Sequence, residues 1–264
     1  MYGFEYQRPA GVAEAVAASD DETRYLAGGQ SLVQSMRLRL ASATTLVDLA
    51  AISGLRGIRR DGSTLRVGAM TRHSEVVRSP EVREALPALA ELAGTIGDPM
   101  VRNQGTIGGS LANADPAADY PAAVLGLGAT IETDRRRIAA DDFFLDLFTT
   151  ALDPGELIVA VHFPLAQRAA YEKLPQPASR FALVGVFVAQ AADGMRVAVT
   201  GARTHAFRVP EMEQALTRDF SPAALDGIQV DAAGCNADLH ASADYRAAMV
   251  NVMARRAVAR ALGR

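Results

Sequence analysis

The chain has 264 residues and a mass of 27.9 kDa, a length at which a single hydrophobic core stops growing and two or three packed lobes are expected. Hydrophobic residues make up 49% and charged residues 22% of the sequence, which excludes an intrinsically disordered chain. The formal net charge is −3, so no basic field exists to bind a phosphodiester backbone, and nucleic acid is not an expected partner.

Rare residue types exclude further classes. Cys235 is the only cysteine, so this sequence alone supplies neither an internal disulfide nor the four thiolates that an iron–sulfur cluster generally takes. The four histidines lie far apart, and no metal site is predicted. Lys173, the only lysine, follows glutamate rather than glycine, which excludes a Walker A loop. The start lacks signal-peptide features and no apolar run reaches the ~20 residues of a membrane span, so a cytoplasmic chain without membrane contact is expected.

The first fifty residues alternate between strand and helix signals. Strands are predicted at residues 2–6, 24–27 and 44–49. One helix is predicted to begin at Pro9, and another at Ser31, whose side chain could cap it. This β-α-β-α-β order indicates a small α/β lobe, which we place at residues 1–54.

A second lobe is predicted over residues 55–166. Strands at residues 55–60 and 64–69 flank the turn Asp61-Gly62-Ser63, and helices follow at residues 72–78 and 80–92. A passage rich in glycine and alanine occupies residues 94–128, and strands at residues 130–133 and 157–163 close the lobe. The third segment, residues 167–264, contains predicted strands at 181–192 and 196–201 and helices at 209–217 and 243–262.

Two short stretches carry the chemical signal. They are Ala27-Gly28-Gly29-Gln30-Ser31-Leu32, the first glycine segment, and Gly105-Thr106-Ile107-Gly108-Gly109-Ser110-Leu111, of which residues 106–110 are named the second glycine segment. Glycine pairs permit positive φ and close backbone approach, and successive amide N–H groups form concave anion sites. Together the two loops could neutralise a diphosphate without lysine or metal; alternatively, each is only a tight turn. The dinucleotide fingerprint GxGxxG is missing, which argues against a Rossmann fold.

The wider sequence around these segments is more specific. The stretches AGGQSLVQSMRLRLA (27–41) and RNQGTIGGSLANADPAADYPAAVLGLGATI (102–131) resemble the FAD-binding medium subunits of molybdenum hydroxylases, a family that includes the flavin domain of xanthine dehydrogenase. Further similarity appears, in the family's order, in DFF (142–144), T-x-L-x-P-G-E-L-I (150–158), YEK (171–173), ALVGV (182–186) and the final helix (245–262). The resemblance covers nearly the whole chain.

The resemblance implies an α+β fold. It consists of a two-lobed FAD-binding domain of the PCMH type, similar to vanillyl-alcohol oxidase, with lobe boundaries at residues 1–54 and 55–166. A C-terminal domain of antiparallel sheet and helices follows at residues 167–264. Both FAD-binding lobes are expected to be of the α/β kind.

The resemblance also implies which residues bind FAD. Both glycine segments would hold the pyrophosphate, and Asp119 would contact the nucleotide. Asp115 is either a further site residue or a local cap. Ile158 would contribute a backbone contact, and Ile96 and Gly97 would approach the isoalloxazine ring. Lys173 matches the family's site lysine, with an ordinary surface lysine as the alternative. Asn113 stands where the family commonly has histidine; Gln34 and Arg180-Phe181 also depart from the pattern.

The implied function is electron transfer. FAD in this chain would take electrons from a [2Fe-2S] iron–sulfur small subunit and pass them to a soluble acceptor such as oxygen, NAD or a quinone. Organic substrate would be oxidised in a molybdopterin large subunit. No side chain is predicted to be catalytic, since the flavin carries the chemistry. Two alternatives stay open: a stand-alone flavin oxidoreductase of the same fold, and a flavin-free scaffold.

Overall fold

The computed structural model describes residues 1–263. The first lobe contains a three-stranded parallel sheet, made of β1 (Glu5–Gln7), β2 (Thr23–Leu26) and β3 (Thr45–Asp48), with β3 in the middle. Two short helices connect the strands, α1 (Val12–Ala17) and α2 (Leu32–Arg37). The predicted β-α-β-α-β order is confirmed, although the first strand begins at Glu5, three residues later than expected.

The second lobe has a five-stranded antiparallel sheet. Its strands are β4 (Ile58–Asp61), β5 (Thr64–Gly68), β6 (Thr130–Thr133), β7 (Arg137–Ala139) and β10 (Ile158–Pro164), in the spatial order β4-β5-β10-β6-β7. A small hairpin of β8 (Phe144–Asp146) and β9 (Thr149–Thr150) follows β7. The expectation of an α/β arrangement is therefore wrong for this lobe, because each ladder in its sheet is antiparallel.

Six short helices lie between β5 and β6. They are α3 (His73–Arg78), α4 (Pro80–Ala85), α5 (Pro87–Gly94), α6 (Pro99–Gln104), α7 (Ile107–Asn113) and α8 (Tyr120–Gly126). The single helix predicted at residues 80–92 is divided at Leu86, since Pro87 forces the preceding residue out of the helical region (φ −144°, ψ 67°). Proline also begins α4 and α6, where its missing N–H costs no hydrogen bond.

The third segment is a four-stranded antiparallel sheet covered by helices. Its elements are β11 (Arg168–Pro175), β12 (Ala182–Ala191), β13 (Gly194–Thr200), β14 (Phe207–Arg208), α9 (Pro210–Arg218) and α10 (Ala243–Ala261). The predicted pairing of β12 with β13 is confirmed, and the α+β fold class is confirmed with it.

The second and third segments share one hydrophobic core. Tyr171 and Phe187 of the third segment belong to the same buried cluster as Leu89, Val124 and Phe163 of the second lobe. A separate cluster joins the C-terminal sheet to α9 and α10. The boundaries at residues 54/55 and 166/167 therefore stay a prediction. Within residues 1–263, no helix is both long and apolar enough to cross a bilayer.

Candidate functional site

A cleft of about 800 Å³ is lined by residues of all three segments, a size typical of a small-molecule or cofactor site. Sixteen of the eighteen predicted site residues line it: Ala27, Gly28, Gly29, Gln30, Ser31, Leu32, Ile96, Gly97, Thr106, Gly108, Gly109, Ser110, Asn113, Asp115, Asp119 and Ile158. The two exceptions are Ile107, which is fully buried in the core, and Lys173, which lies behind the wall.

The first glycine segment presents unused backbone donors. Among the described residues, the N–H groups of Gly28, Gly29, Gln30 and Ser31 have no backbone acceptor. Gly29 has φ +70°, a left-handed conformation that glycine adopts without strain. Ser31 precedes α2 but its side chain makes no capping hydrogen bond, so the predicted cap is wrong and the exposed hydroxyl is available to a ligand.

The second glycine segment differs, because four of its five backbone donors are already used. Four successive N–H groups donate to protein oxygens: Ile107 to Thr71 O (3.1 Å), Gly108 to Ala69 O (2.8 Å), Gly109 to Thr106 Oγ1 (3.2 Å) and Ser110 to Thr106 O (3.0 Å). The segment is the first turn of α7, capped by Thr106, rather than the open loop that the glycine pair suggested. These amides leave no donor for an anion.

The two segments pack directly against each other. A Cβ atom on Gly28 would lie 2.2 Å from the Gln104 carbonyl oxygen, and one on Gly109 would lie 3.3 Å from the Ala27 Cβ. Gly108 is constrained within the second lobe, since its Cβ would lie 2.6 Å from the Ala69 Cβ. Glycine at positions 28 and 109 lets the lobes approach, and this contact places the free amides of the first segment inside the cleft.

Asp119 is buried and held by two side chains from β11. Its carboxylate accepts hydrogen bonds from the Tyr171 hydroxyl (2.5 Å) and from Lys173 Nζ (3.0 and 3.1 Å). Burial raises the pKa of Asp119, while Lys173 and Tyr171 act in the opposite direction. Gly185 on β12 makes this possible, because a Cβ there would lie 2.2 Å from the Tyr171 hydroxyl.

Lys173 connects β11 to three other parts of the molecule, through hydrogen bonds to Asp119, Thr95 and Arg180. Beside Asp119, its Nζ donates to the carbonyl oxygens of Thr95 (3.0 Å) and Arg180 (2.9 Å). Only 7% of its side chain is exposed, so the alternative of an ordinary surface lysine is wrong. The ammonium group fixes the position of Asp119 and of the residues before β12, and a direct contact of Lys173 with FAD stays a prediction.

Asp115 fits both roles that the sequence left open. Its Oδ1 accepts a hydrogen bond from the Ala117 N–H (2.9 Å), which is a local cap, and the residue also lines the cleft. Burial raises the pKa of Asp115. Ser110 and Asn113 are half-buried residues of α7 that line the same wall.

Some cleft residues had no clear sequence signal. His73 is buried behind Gly105, with its Nδ1 unpaired among the described residues; burial, reinforced by Arg102, lowers its pKa to about 4. Tyr25 donates its hydroxyl hydrogen to the Gly155 carbonyl oxygen (2.9 Å) and so ties the first lobe to the turn before β10. The family resemblance over residues 150–158 includes that turn, but it predicts only Ile158 as a site residue; the turn residues Asp153 to Glu156 also line the cleft.

The donor set of the cleft suits a diphosphate better than a metal. Four unpaired amide donors on one wall match the many acceptor oxygens of a pyrophosphate. Within residues 1–263, no group of three histidine, cysteine, aspartate or glutamate residues is arranged to hold a metal ion.

Comparison with known proteins gives concordant matches. Residues 2–166 match the model of the family described as "FAD binding domain in molybdopterin dehydrogenase". The carbon monoxide dehydrogenase medium chain of Hydrogenophaga pseudoflava is 37% identical over 97% of this chain and 96% of its own length. The nicotine 6-hydroxylase medium subunit of Paenarthrobacter nicotinovorans is 33% identical over 98% and 97%. A solved structure of reconstituted CO dehydrogenase from Oligotropha carboxidovorans superposes with a TM-score of 0.91 at 34% identity, covering 100% of this chain and 99% of that chain.

Proposed function

This chain belongs to the family of FAD-binding domains of molybdopterin dehydrogenases, and from that premise we propose that it is the electron-transfer subunit of a molybdenum hydroxylase complex. It takes electrons from a [2Fe-2S] subunit and passes them to a soluble acceptor. The observation that carries the proposal is the run of free amide donors at Gly28–Ser31 inside a cleft of cofactor size.

The residues of the chain bind and orient FAD, which supplies the ability to exchange electrons singly and in pairs. The amides of the first glycine segment hold the pyrophosphate, and α7 supplies the rigid wall opposite. Asp119, fixed by Tyr171 and Lys173, contacts the nucleotide part. Ile96, Gly97 and Ile158 line the part of the cleft expected to surround the isoalloxazine ring.

Partner chains complete the proposed electron path. With one cysteine, the 264 residues cannot supply the thiolates of an iron–sulfur cluster, so the one-electron relay comes from another chain. The names of two relatives, "medium chain" and "medium subunit", describe parts of larger assemblies. We therefore propose an iron–sulfur small subunit and a molybdopterin large subunit as partners, with the organic substrate oxidised in the latter.

FAD binding is tested with a charge placed at the expected pyrophosphate site. The purified protein should be yellow, with absorbance near ~450 nm. In Ser31→Asp, a carboxylate beside the diphosphate should weaken FAD binding at least ~tenfold, measured by fluorescence titration of the apoprotein. Ser35→Asp is the matched control, since Ser35 lies on α2 outside the cleft. A colourless protein that binds no FAD would support the scaffold alternative instead.

The role of the partners is tested with the chain alone and in complex. Reduced iron–sulfur subunit should reduce the bound FAD in a single-turnover experiment, whereas small organic donors should not reduce FAD in the isolated chain. Fast reduction by such a donor without any partner would favour the stand-alone oxidoreductase, the alternative that the Asn113 and Arg180 departures raise.

A further inference from the structure

Carboxylates outnumber cationic side chains along the cleft. Its lining includes six carboxylate residues, Asp20, Asp21, Asp115, Asp119, Asp153 and Glu156, and two arginines, Arg24 and Arg180. Some are neutralised within the protein, since Lys173 pairs with Asp119, and Arg136 pairs with Asp153 and Glu156. The chain as a whole carries −3. An anion that approaches the cleft is therefore repelled, except where cations face it.

Two guanidinium groups converge on one carbonyl of the cleft wall. Arg102 Nη1 donates to the carbonyl oxygens of Ile96 (2.9 Å) and Gly97 (3.1 Å), and Arg180 Nη1 lies 3.4 Å from the same Gly97 oxygen. Among residues 1–263, neither arginine forms a salt bridge. Asp98, the acidic residue next to Gly97, caps α6 through the Val101 N–H instead. Arg102 and Arg180 therefore form a local positive charge that no carboxylate of the described residues neutralises through a salt bridge.

The position of Arg180 is set by the backbone. Arg180 has φ +65°, a left-handed conformation that is unfavourable for a non-glycine residue. Its N–H donates to the Gln176 carbonyl oxygen (2.8 Å), and its own carbonyl accepts from Lys173 Nζ (2.9 Å). These bonds hold the residue, with Phe181 beside it, at the rim of the cleft, while its side chain stays exposed to solvent.

We propose that Arg180, supported by Arg102, determines which electron acceptors react at this cleft, by favouring acceptors that carry negative charge. The inference rests on the proposed function, because it concerns the release of electrons from bound FAD. A cation at the entrance of a cleft raises the local concentration of an anionic reactant and leaves a neutral reactant unaffected.

The test compares anionic and neutral acceptors. The FAD-loaded chain is reduced anaerobically and mixed with ferricyanide or with p-benzoquinone in a stopped-flow instrument. Two ferricyanide ions each take one electron from one reduced FAD, and protons go to solvent; one benzoquinone takes both electrons with two protons. Arg180→Ala should slow the ferricyanide reaction ~tenfold and Arg180→Glu more, whereas the benzoquinone rate stays within about twofold. Arg180→Lys should retain the wild-type ferricyanide rate.

A second readout needs no turnover, and a matched control excludes a general effect. Quenching of FAD fluorescence by iodide should weaken in Arg180→Ala, with quenching by neutral acrylamide unchanged. Arg39→Ala is the control, since Arg39 is also exposed and left-handed (φ +60°) but lies outside the cleft. The wild-type ferricyanide rate should fall with added salt more steeply than that of Arg180→Ala.

The outcomes separate the two proposals. If FAD binds and both acceptors react, but the acceptor ratio is the same in wild type and Arg180→Ala, the inference about Arg180 is overturned while the proposed function stands. Equal increases in iodide and acrylamide quenching would show that the residue only shields the cleft, and would also overturn it. Failure to bind FAD at all would refute the proposed function itself.

Discussion

The two glycine segments have nearly the same sequence pattern and opposite hydrogen-bonding states. In the first, the N–H groups of Gly28–Ser31 have no backbone partner among the described residues and line the cleft. In the second, the N–H groups of residues 107–110 all donate to protein oxygens. A glycine pair followed by a hydroxyl residue therefore leaves free backbone donors in one place and forms a tightly packed helix start in the other.

The difference has a physical origin in what surrounds each segment. The second segment lies beside the end of β5, whose following residues Ala69 and Thr71 offer carbonyl acceptors, and Thr106 caps α7. In the first segment, the N–H groups of Gly28–Ser31 have no backbone acceptor among the described residues, and the Ser31 side chain makes no capping bond. We interpret the second segment as the support that positions the first.

The largest expected effect is on stability. In Gly108→Ala, the new Cβ would lie 2.6 Å from the Ala69 Cβ and 2.8 Å from its carbonyl oxygen, so the backbone must shift. We expect a loss of about 3 kcal/mol in the free energy of unfolding, measured by urea denaturation of the apoprotein. Gly3→Ala is the control, since nothing lies within 4 Å of its Cβ. Wild-type stability in Gly108→Ala would mean that the packing role of the second segment is misassigned.

The support behind the second segment should also be sensitive to acid. His73 has a folded-state pKa of about 4, below the ordinary 6.5, because burial disfavours its charged form. Between pH 6.5 and 4, His73 is protonated in the unfolded chain but neutral in the folded chain. The free energy of unfolding should therefore fall as the pH drops through this range, by up to about 3 kcal/mol. Denaturation midpoints between pH 7 and 5 check this.

His73→Gln should flatten the dependence between pH 6.5 and 5, because the titrating group is removed. His240→Gln, at an exposed loop position, should leave it unchanged. An identical pH slope in wild type and His73→Gln would show that another group is responsible.

The cap of α7 is expected to contribute less. Thr106→Val removes the Oγ1 that accepts the Gly109 N–H while keeping the shape of the side chain. Loss of an N-cap typically costs about 1 kcal/mol, which a shift in urea midpoint would reveal, and Thr106→Ser should restore it. A weaker FAD affinity without any loss of stability would contradict the assignment, since it would give Thr106 a direct role in binding.

The smallest expected effect is the loss of FAD affinity caused by a negative charge on the second glycine segment. Ser110→Asp places a carboxylate in the cleft on α7, at a position whose backbone N–H is already bonded to Thr106. Because the pyrophosphate is expected on the opposite segment, FAD affinity should fall only about threefold, by roughly 0.6 kcal/mol, well below the loss in Ser31→Asp. Titration of both variants would reveal the reverse order if the roles were exchanged.

Much of the fold could be predicted from sequence periodicity and turn residues. The alternation in the first lobe and the pairing of β12 with β13 across Asp193-Gly194 are local patterns, and the structure confirms them. The helices α6 to α8 could not be predicted in this way, because their short, glycine- and alanine-rich sequences carry no strong periodicity. The helices α7 and α8 are stabilised by burial against the second lobe's core, whereas α6 has no buried residue.

Residues of the candidate site were predictable where a sequence motif contains them, and less so where tertiary contacts determine their burial and hydrogen bonding. Both glycine segments were identified from sequence, but their different hydrogen bonding depends on Ala69 and Thr71, which no spacing reveals. The burial of Lys173 on Asp119 depends on the register of β11 against β12. His73 had no signal at all, since a single histidine in a helix is usually an ordinary residue.

We propose that FAD binds through the amides of the first glycine segment. Amide hydrogen exchange, measured residue by residue with and without FAD, tests it most directly. We expect the amides of Gly28, Gly29, Gln30 and Ser31 to exchange freely in the apoprotein and to become protected when FAD binds, while those of residues 107–110 are protected in both states. Protection that appears only at residues 107–110, with Gly28–Ser31 unchanged, would contradict the claim.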